Sequence, residues 1–294
     1  MSAPDLRMAY LVMLHQNPSQ FQRLFRAIYD PRDYYVVHVD RKAAGQVHRD
    51  VAAILREYPN AWILPSMRIT WGGWSLMEVQ LQAMRRLLAM AADWAFVTNL
   101  SGQCFPLQSP ERIRRDLAAQ PDRNFLHVED MADWTPGMVR VRWYWAKIPG
   151  LPIRRPIRLP IPRRYLADAR PYHGATWATL NRAFVEWMTT SPEVERFRRF
   201  YRWSVSPDEG FVPSVLMNGP FRKTAAPYRR TIVWTGGSSP KTFTSADLDF
   251  LLSSDGWYAR KFDTRVDGRI LDALEAHVAR APEGTRSEGA VARC

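Results

Sequence analysis

The sequence predicts an α/β fold in which a mostly parallel central sheet is flanked by helices. Short apolar runs alternate with helical patterns through the N-terminal half, as in chains built from strand–helix units. Between these runs, helix starts in which a capping residue precedes proline occur repeatedly. Hydrophobic residues make up 46% of the chain and charged residues 24%, which is ordinary for a protein with a buried core.

Two apolar runs near the N-terminus predict the first two strands. Residues 8–14 form the first run, and Asn17 with Pro18 then supplies a helix cap and a proline at the first helical position. The apolar residues that come next recur at helical spacing. Residues 34–39 form the second predicted strand, which Asp40 ends.

The alternation continues to about residue 128 and resumes near residue 174. In the first part, the remaining predicted elements are a helix over 46–57, a strand over 61–64, a helix over 75–90, and strands over 94–99 and 124–128 separated by a helix start at Ser109-Pro110. In the second part, they are regular structure over 174–180, a helix over 182–188, a helix start at Ser191-Pro192 and a last helix that opens at Thr244. The start at Thr244 has the pattern of a capping box.

Residues 134–170 break this pattern. Between Lys147 and Arg164, proline and arginine alternate with no acidic residue to offset the charge. Proline removes backbone donors and clashes inside a helix, so this stretch cannot hold a helix. We expect a long loop over the surface that forms a rim for an anionic ligand or for a membrane surface.

The charge balance predicts an anionic partner. The chain carries 41 Lys and Arg against 29 Asp and Glu, a formal charge of +12. A nucleotide, a nucleic acid and an anionic lipid all fit this excess. A nucleic-acid-binding module is one hypothesis, because Trp143, Tyr144 and Trp145 stand beside the basic stretch. No known nucleic-acid-binding motif accompanies them.

Cysteine usage and hydropathy bear on the compartment. Cys104 and Cys294 are the only cysteines, too few for a disulfide framework. No apolar run approaches the ~20 residues needed to cross a bilayer. We therefore expect a cytoplasmic protein with peripheral contact to the inner membrane face through residues 147–164. Residues 281–294 are rich in Gly, Arg, Glu and Ala and are expected to be disordered.

Polar residues end two neighbouring predicted strands, His15 the first and Asp40 the second. In open α/β sheets, nucleotides bind at the carboxyl ends of the strands, where a carboxylate accepts hydrogen bonds from a base or a ribose. The alternative for Asp40 is a cap of the following turn. A single histidine is more often structural, but two polar residues at adjacent strand ends favour a site.

Trp71 precedes two glycines and a predicted helix start. Glycine lets a ligand or another backbone approach closely, and an indole face stacks on a base or a sugar ring. A tight turn with core tryptophans is the alternative.

Asp208 and Glu209 come after a proline at the first turn of a predicted helix. Complementarity to the helix dipole explains such a pair, but a carboxylate that faces a cleft acts instead as a general base. Two later basic residues, Arg230 and Lys261, are of the types that bind phosphate. Basic residues are common on surfaces, so neither is specific alone.

No metal ion and no cofactor are expected. The sole Asp-x-Asp sequence is Asp247-Leu-Asp249, which lies in the capped helix start, where the helix dipole accounts for it. The histidines have no spacing typical of metal ligands.

Taken in order, several segments resemble the family of core 2 and I-branching β-1,6-N-acetylglucosaminyltransferases and its relatives, the peptide O-xylosyltransferases. The segments are Tyr10-Leu-Val-Met-Leu-His15, Arg26-Ala-Ile-Tyr-Asp-Pro31, His38-Val-Asp-Arg-Lys42, Trp71-Gly-Gly-Trp-Ser75, Asn99-Leu-Ser-Gly-Gln103 with Phe105-Pro-Leu107, Ser206-Pro-Asp-Glu209 and Ala259-Arg-Lys-Phe-Asp263. They run from about residue 8 to 275, and their number and order carry the resemblance.

The resemblance implies a Rossmann-like nucleotide-sugar transferase fold of the GT-A type, which inverts the anomeric centre without a metal ion. Glu209 matches the catalytic base of the family. Arg230 and Lys261 match the basic pair that binds the donor diphosphate. Three further residues fall on positions that line the nucleoside pocket: His15, Asp40 and Trp71.

The implied organisation is one transferase domain over residues 1–280, with a nucleotide-binding part over 8–130 and an acceptor and catalytic part over 131–280. The donor implied first is UDP-N-acetylglucosamine and next UDP-xylose. Thr176 stands where the xylosyltransferases tend to carry aspartate, which weighs against xylose.

The acceptor implied is a hydroxyl of a glycan or a related molecule, and the basic surface favours an anionic one. Position in the family fold makes Glu129 and Trp177 the candidate acceptor contacts. The lack of a membrane segment and of disulfides is typical of a bacterial, cytoplasmic branch of the family. A binder of sugars without catalysis is a further alternative, against which Glu209 argues.

Overall fold

The computed structural model describes residues 5–133, 135–147, 155–236 and 239–280. Its strands are β1 Arg7–Leu14, β2 Tyr34–Val39, β3 Ala61–Ile63, β4 Trp94–Ser101, β5 Cys104–Pro106, β6 Asn124–Leu126, β7 Glu129–Asp130, β8 Trp143–Ala146, β9 Ile157–Pro162, β10 Tyr172–His173, β11 Ala178–Asn181, β12 Ala225–Ala226, β13 Arg230–Ile232 and β14 Tyr258–Arg260. Its α-helices are α1 Pro18–Ile28, α2 Gly45–Leu55, α3 Ser75–Met90, α4 Pro110–Ala118, α5 Thr135–Arg142, α6 Arg182–Thr190, α7 Pro192–Tyr201, α8 Pro207–Asn218, α9 Leu248–Leu252 and α10 Arg269–Arg280. The predicted disordered tail at 281–294 lies outside the described residues.

The central sheet has seven strands in the order β12-β6-β11-β4-β1-β2-β3. Strand β1 pairs in parallel with β2 and β4, β2 with β3, and β6 with β12. Strand β11 runs antiparallel to β4 and β6. The predicted α/β fold with a mostly parallel sheet is therefore confirmed. Because β11 is reversed, the residues just before it lie at the carboxyl ends of the parallel strands.

Helices cover both faces of this sheet. One apolar core packs helices α1, α2, α4 and α10 against one face, and the other packs α3, α6, α7 and α8 against the opposite face. Alternate residues of β1 enter the two cores, which explains why the strand is an unbroken apolar run. Within the described residues, no helix combines the length and apolar character that a membrane crossing requires.

The helix starts form as predicted. The side chain of Asn17 accepts from the backbone N–H of Gln20 at 3.2 Å, and Ser109 caps α4 through the backbone N–H of Arg112 at 3.3 Å. These caps satisfy donors that the first helical turn leaves without partners.

The prediction that residues 134–170 form one long loop is wrong in part. Helix α5 begins at Thr135, and β8 pairs antiparallel with β9. Two prolines lie in β9, which tolerates them because it is an edge strand of a two-stranded sheet. Residues 148–154 of the basic stretch lie outside the described residues.

The prediction of the last helix is also corrected. The capping box at Thr244 forms, but it opens a 3₁₀ turn and the short helix α9. Helix α10 comes next, and it was not predicted. Its buried apolar residues lie on one face at helical spacing, so the signal was present in the sequence: Ile270, Leu271, Leu274 and Val278.

A buried ion cluster joins the amino ends of β1 and β2. Arg114 on α4 contacts the carboxylates of Asp33 at 2.5 Å and Asp30 at 3.1 Å. Asp33 also accepts from the backbone N–H of Met8 at 2.8 Å. The cluster therefore fixes the edge of the sheet that lies opposite the carboxyl ends of its parallel strands.

Candidate active site

A cleft of about 820 Å³ opens at the carboxyl ends of the parallel strands. Its lining includes His15 after β1, Asp40 after β2 and Ser101 at the end of β4. This edge is where open α/β sheets bind their ligands, and the volume lies within the range of small-molecule sites.

Asp40 lines the cleft and also caps the turn after β2. Its Oδ1 accepts from the backbone N–H of Lys42 at 2.9 Å and of Ile69 at 3.3 Å. Its Oδ2 lies 3.5 Å from the ammonium of Lys42. Asp40 is therefore the cap of this turn, and its carboxylate is fixed in place at the cleft.

Two histidines stand beside Asp40. His15 is exposed at the cleft, and its pKa is lowered first by desolvation and then by the cations Arg260, Lys42 and Lys261, against the pull of Asp40. His38, which sequence reasoning did not select, is buried and accepts from the backbone N–H of Met67 at 3.0 Å through Nε2. Burial lowers the pKa of His38 to about 4, so its imidazole is neutral at pH 7.

Trp71 presents a half-exposed indole to the cleft. The guanidinium of Arg155 lies over this ring at 3.6 Å. The next residue, Gly72, has φ 72°, a conformation that favours glycine, and its carbonyl accepts from the N–H of Ser206 at 2.8 Å. The glycine predicted to permit a close approach therefore joins the Trp71 turn to the start of α8.

Helix α8 brings two carboxyl groups to the cleft from its first turn, as the sequence predicted. Asp208 is buried and accepts from the hydroxyl of Thr176. Burial first, and then the neighbouring Glu209, raise the pKa of Asp208 to about 6. The two acids are therefore different chemically, although they are adjacent.

Glu209 is partly exposed in the cleft and pairs with Arg140 of α5 through Oε2. Its carbonyl accepts from the N–H of Gly174 at 2.7 Å. A Cβ atom on Gly174 would lie 1.8 Å from the carbonyl oxygen of His127. Only glycine therefore fits at position 174, between His127 and the start of α8. Glu209 is thus held by a side-chain pair and by a backbone contact, neither of which was predicted.

Of the two predicted phosphate-binding residues, Arg230 and Lys261, only Arg230 lines the cleft. Arg230 lines the cleft and donates through Nη2 to Thr98 Oγ1 at 2.6 Å and to the carbonyl of Ala178 at 2.9 Å. Burial lowers the pKa of its guanidinium. Its buried Nη1 has no hydrogen-bond partner among the described residues. A phosphate oxygen is a suitable acceptor for such a donor.

Lys261 does not itself line the cleft, although it donates through Nζ to Ser239, which does, at 3.2 Å. The residue before it, Arg260, lines the cleft, donates to Ser101 and lies over the ring of Trp177 at 4.9 Å. Strand β14 ends at Arg260, so Lys261 comes just after it, and of these two basic residues only Arg260 lines the cleft.

The two predicted acceptor contacts differ in position. Trp177 lines the cleft, just before the reversed strand β11. Glu129 is exposed and does not line it, but its carboxylate bridges two histidines that do: His127 Nε2 at 2.9 Å and His173 Nε2 at 2.8 Å.

No group of three or more metal-ligating side chains occurs among the described residues. Asp247 accepts from Thr244 and pairs with the ammonium of Lys241 at 2.5 Å. The Asp-x-Asp sequence is therefore a helix cap, as predicted.

The cleft gathers six of the eight predicted site residues, namely His15, Asp40, Trp71, Trp177, Glu209 and Arg230. Three that sequence reasoning did not select belong beside them, namely His38, Arg140 and Arg260. His38 and Arg260 each lie within two residues of a predicted site residue, which was the available signal. Arg140 carried none, because its segment was predicted to be a loop.

A mostly parallel α/β sheet whose carboxyl-end cleft holds an acid and several cations is typical of enzymes that act on phosphorylated ligands. The family model of the Core-2/I-Branching enzyme matches residues 8–251. The chain therefore belongs to this family.

The chain is also similar in sequence to two xylosyltransferases. Human xylosyltransferase 1 is 31% identical over 315 residues, which cover 97% of this chain and 32% of that protein. Dog xylosyltransferase 2 is 29% identical over 304 residues, covering 94% of this chain and 34% of the relative. The chain thus spans about a third of the length of these relatives. A solved structure of the galactosyltransferase LgtC with donor and acceptor sugar analogues is similar over 94% of this chain and 98% of that one, with 12% identity and a TM-score of 0.41.

Proposed function

We propose that the cleft transfers a sugar from a UDP-sugar to a hydroxyl group of a glycan or a related acceptor, with inversion and without a metal ion. The observation that carries the proposal is Glu209 at the start of α8, in the same cleft as the guanidinium of Arg230. A base on one side of an anomeric carbon and a cation on the other is the arrangement that an inverting displacement requires.

The donor binds with its nucleoside against Asp40, His15 and Trp71. Asp40 is fixed by a backbone donor of its own turn and by the backbone N–H of Ile69, so its position costs little to organise on binding. Stacking on Trp71 uses the indole face that Arg155 leaves open, or displaces Arg155 from its position 3.6 Å above the ring.

Fixed cations take the part that a divalent ion plays in other sugar transferases. Arg230 and Arg260 in the cleft, with Lys261 beside it at Ser239, neutralise the charge that grows on the leaving diphosphate. The unpaired Nη1 of Arg230 supports this role, since a buried donor without a partner is costly until a ligand supplies one.

Glu209 removes the proton of the acceptor hydroxyl as that oxygen attacks the anomeric carbon. The bond from the acceptor oxygen to that carbon forms, and the bond from the carbon to the diphosphate oxygen breaks on the opposite face. UDP leaves with the electron pair, and the proton stays on Glu209. General-base assistance of this kind contributes about 10²–10⁴-fold to a rate. The pair with Arg140 orients the carboxylate for this step.

The sugar is N-acetylglucosamine or xylose. Thr176 in place of an aspartate favours N-acetylglucosamine, whereas the similarity to xylosyltransferases favours xylose. Hydrolysis of a panel of UDP-sugars, measured as free UDP, decides between them. Trp177 and Glu129 bind the acceptor, Trp177 from within the cleft and Glu129 through the two histidines that it bridges.

The chemistry is tested with Glu209→Gln and the matched control Glu193→Gln, which changes an exposed residue on α7. We expect donor turnover to fall by about 10²-fold or more in Glu209→Gln and to persist in the control. Calorimetry with UDP in the presence of EDTA should show similar affinity for both. Absence of UDP binding by the wild type would refute the transferase proposal, and full turnover of Glu209→Gln would refute the base.

The basic stretch supports a second partner for the same enzyme. Ile157 and Ile161 are exposed on β9, at 36% and 52%, among arginine residues. Apolar tips with basic neighbours fit the surface of an anionic membrane. We propose a peripheral contact at the inner membrane face in a cytoplasmic protein, which vesicle flotation of Ile161→Ser against wild type tests. The positive charge of the chain no longer requires nucleic acid as the partner, because the family and the cleft account for a phosphate-bearing ligand.

A further inference from the structure

A smaller groove of about 200 Å³ lies beside the cleft. Four separate segments form it: the turn before α3, the end of β8, Pro156 before β9 and the turn after α7. Three tryptophans, Trp74, Trp145 and Trp203, line it together with Lys147 and Arg202. No acidic residue is among its lining.

The groove and the cleft are lined by neighbouring residues of two segments. Trp71 and Gly72 line the cleft, and the next residue, Gly73, lines the groove. On the turn before α8, Ser206 lines the cleft, and Ser204, two residues earlier, lines the groove. Two residues of chain span at most about 7 Å, so the two spaces lie close enough for one extended oligomeric ligand to contact both.

The walls of the groove are held in position before any ligand binds. The N–H of Trp145 donates to the carbonyl of Trp203 at 2.9 Å, which ties the end of β8 to the turn after α7. Trp74 packs edge-on against Phe211 at 5.5 Å and donates to Glu78 at 3.0 Å. A preformed site of this kind loses little affinity to ordering.

The chemistry of the groove is aromatic and cationic. The side chain of Trp203 is 46% exposed, which is unusual for so large an apolar group. Lys147 and Arg202 are exposed, and neither forms an ion pair with a carboxylate in the described part of the chain. Indole faces stack on the apolar faces of sugar rings, and the two cations pair with acidic groups on those rings.

We propose that this groove binds the part of an acidic glycan acceptor that lies beyond the sugar receiving the transferred residue. The inference rests on the transferase function proposed above and names the class of its acceptor. The groove then selects long, carboxylate-bearing chains over short or neutral ones, because only they fill the cleft and the groove together.

A peptide that binds by adding a strand to a sheet has no place in this groove. That mode requires a free strand edge with unpaired backbone donors and acceptors. Strand β8 pairs with β9 on one side, and its Trp145 N–H is already used by Trp203 on the other. The groove therefore offers side chains and no strand edge.

The test measures binding of defined chains to the full protein by calorimetry, with and without UDP. The probes are a hexamer of galacturonate, neutral cellohexaose and a hexamer of glutamate, each at two salt concentrations. We expect the galacturonate hexamer to bind at least about tenfold more tightly than the other two. Trp203→Ala and Arg202→Gln should each weaken it by about tenfold, as for aromatic and arginine contacts at a site centre.

Matched controls separate the groove from general effects. Phe250→Ala removes another large exposed ring, and Lys223→Gln another exposed cation, both away from the groove. Both should bind the hexamer like wild type, and UDP affinity should be unchanged in all four variants. Equal binding of cellohexaose, tighter binding of the glutamate hexamer, or groove variants that bind like wild type would overturn the proposal. Failure of the wild type to bind UDP would count only against the transferase function, since the hexamer is also measured alone.

Discussion

Replacing Asp208 with asparagine is expected to stabilise the protein at neutral pH. The carboxyl group is buried, and burial together with Glu209 raises its pKa from 3.8 to about 6. Folding therefore favours the neutral acid. The stability that this gives is present below pH 4 and is lost as the pH rises through 6. Asparagine is neutral at every pH, and its amide oxygen still accepts from Thr176.

The magnitude is set by the difference between the two pKa values. A shift from 3.8 to about 6 corresponds to about 3 kcal/mol of lost stability once the group is ionised in both states. Between pH 5 and pH 7 the wild type should lose about 1 kcal/mol of this. We expect Asp208→Asn to gain about 1–3 kcal/mol at pH 7, because the amide fits the site less well than the neutral acid.

The assay is urea unfolding at pH 5, 6 and 7, monitored by fluorescence of the tryptophans. The control is Asp255→Asn, whose side chain is 82% exposed and which should change stability little. A parallel loss of stability in wild type and Asp208→Asn between pH 5 and pH 7 would contradict the reasoning. So would a variant less stable than the wild type at pH 7.

Three further predictions concern packing and the base. Arg114→Met leaves the buried carboxylate of Asp33 without its cation, although Asp30 keeps its pair with Arg32, and should cost about 3–5 kcal/mol in urea unfolding. Gly174→Ala places a Cβ atom 1.8 Å from the carbonyl oxygen of His127, so it should lower the melting temperature and reduce donor turnover together. Arg140→Gln should lower kcat while UDP affinity is kept, because it frees the carboxylate of Glu209, and Arg140→Lys should restore part of the loss.

Each of these predictions has a contrary result. Unchanged unfolding of Arg114→Met would mean that the carboxylate of Asp33 finds another partner. A Gly174→Ala protein as stable as wild type would mean that the His127 segment moves aside. If Arg140→Gln lost UDP binding, its role would lie with the donor and not with Glu209.

The order of the elements could be read from the sequence because its signals are local. Proline after a capping residue starts α1 and α4, and unbroken apolar runs form β1 and β2. Parallel strands end at one edge of a sheet, so His15 and Asp40 could be placed at the same cleft in advance. The other four predicted site residues that line the cleft were placed by resemblance to the family.

The region of residues 134–170 was harder to predict because its structure depends on tertiary contacts. Its prolines argue against regular structure locally, yet β9 forms as the edge partner of β8. The same region contains Arg140, which pairs with Glu209, and Trp145, which lines the groove. No local pattern marks these roles, since each depends on a partner far along the chain.

The sequence by itself thus determined the α/β architecture, the edge of the sheet that carries the site, and the family. Tertiary structure alone decided that Arg260 and not Lys261 faces the cleft, that Gly174 supports Glu209, and that a second groove adjoins the first. Periodicity and capping act over a few residues, whereas these arrangements arise where segments more than 30 residues apart pack together.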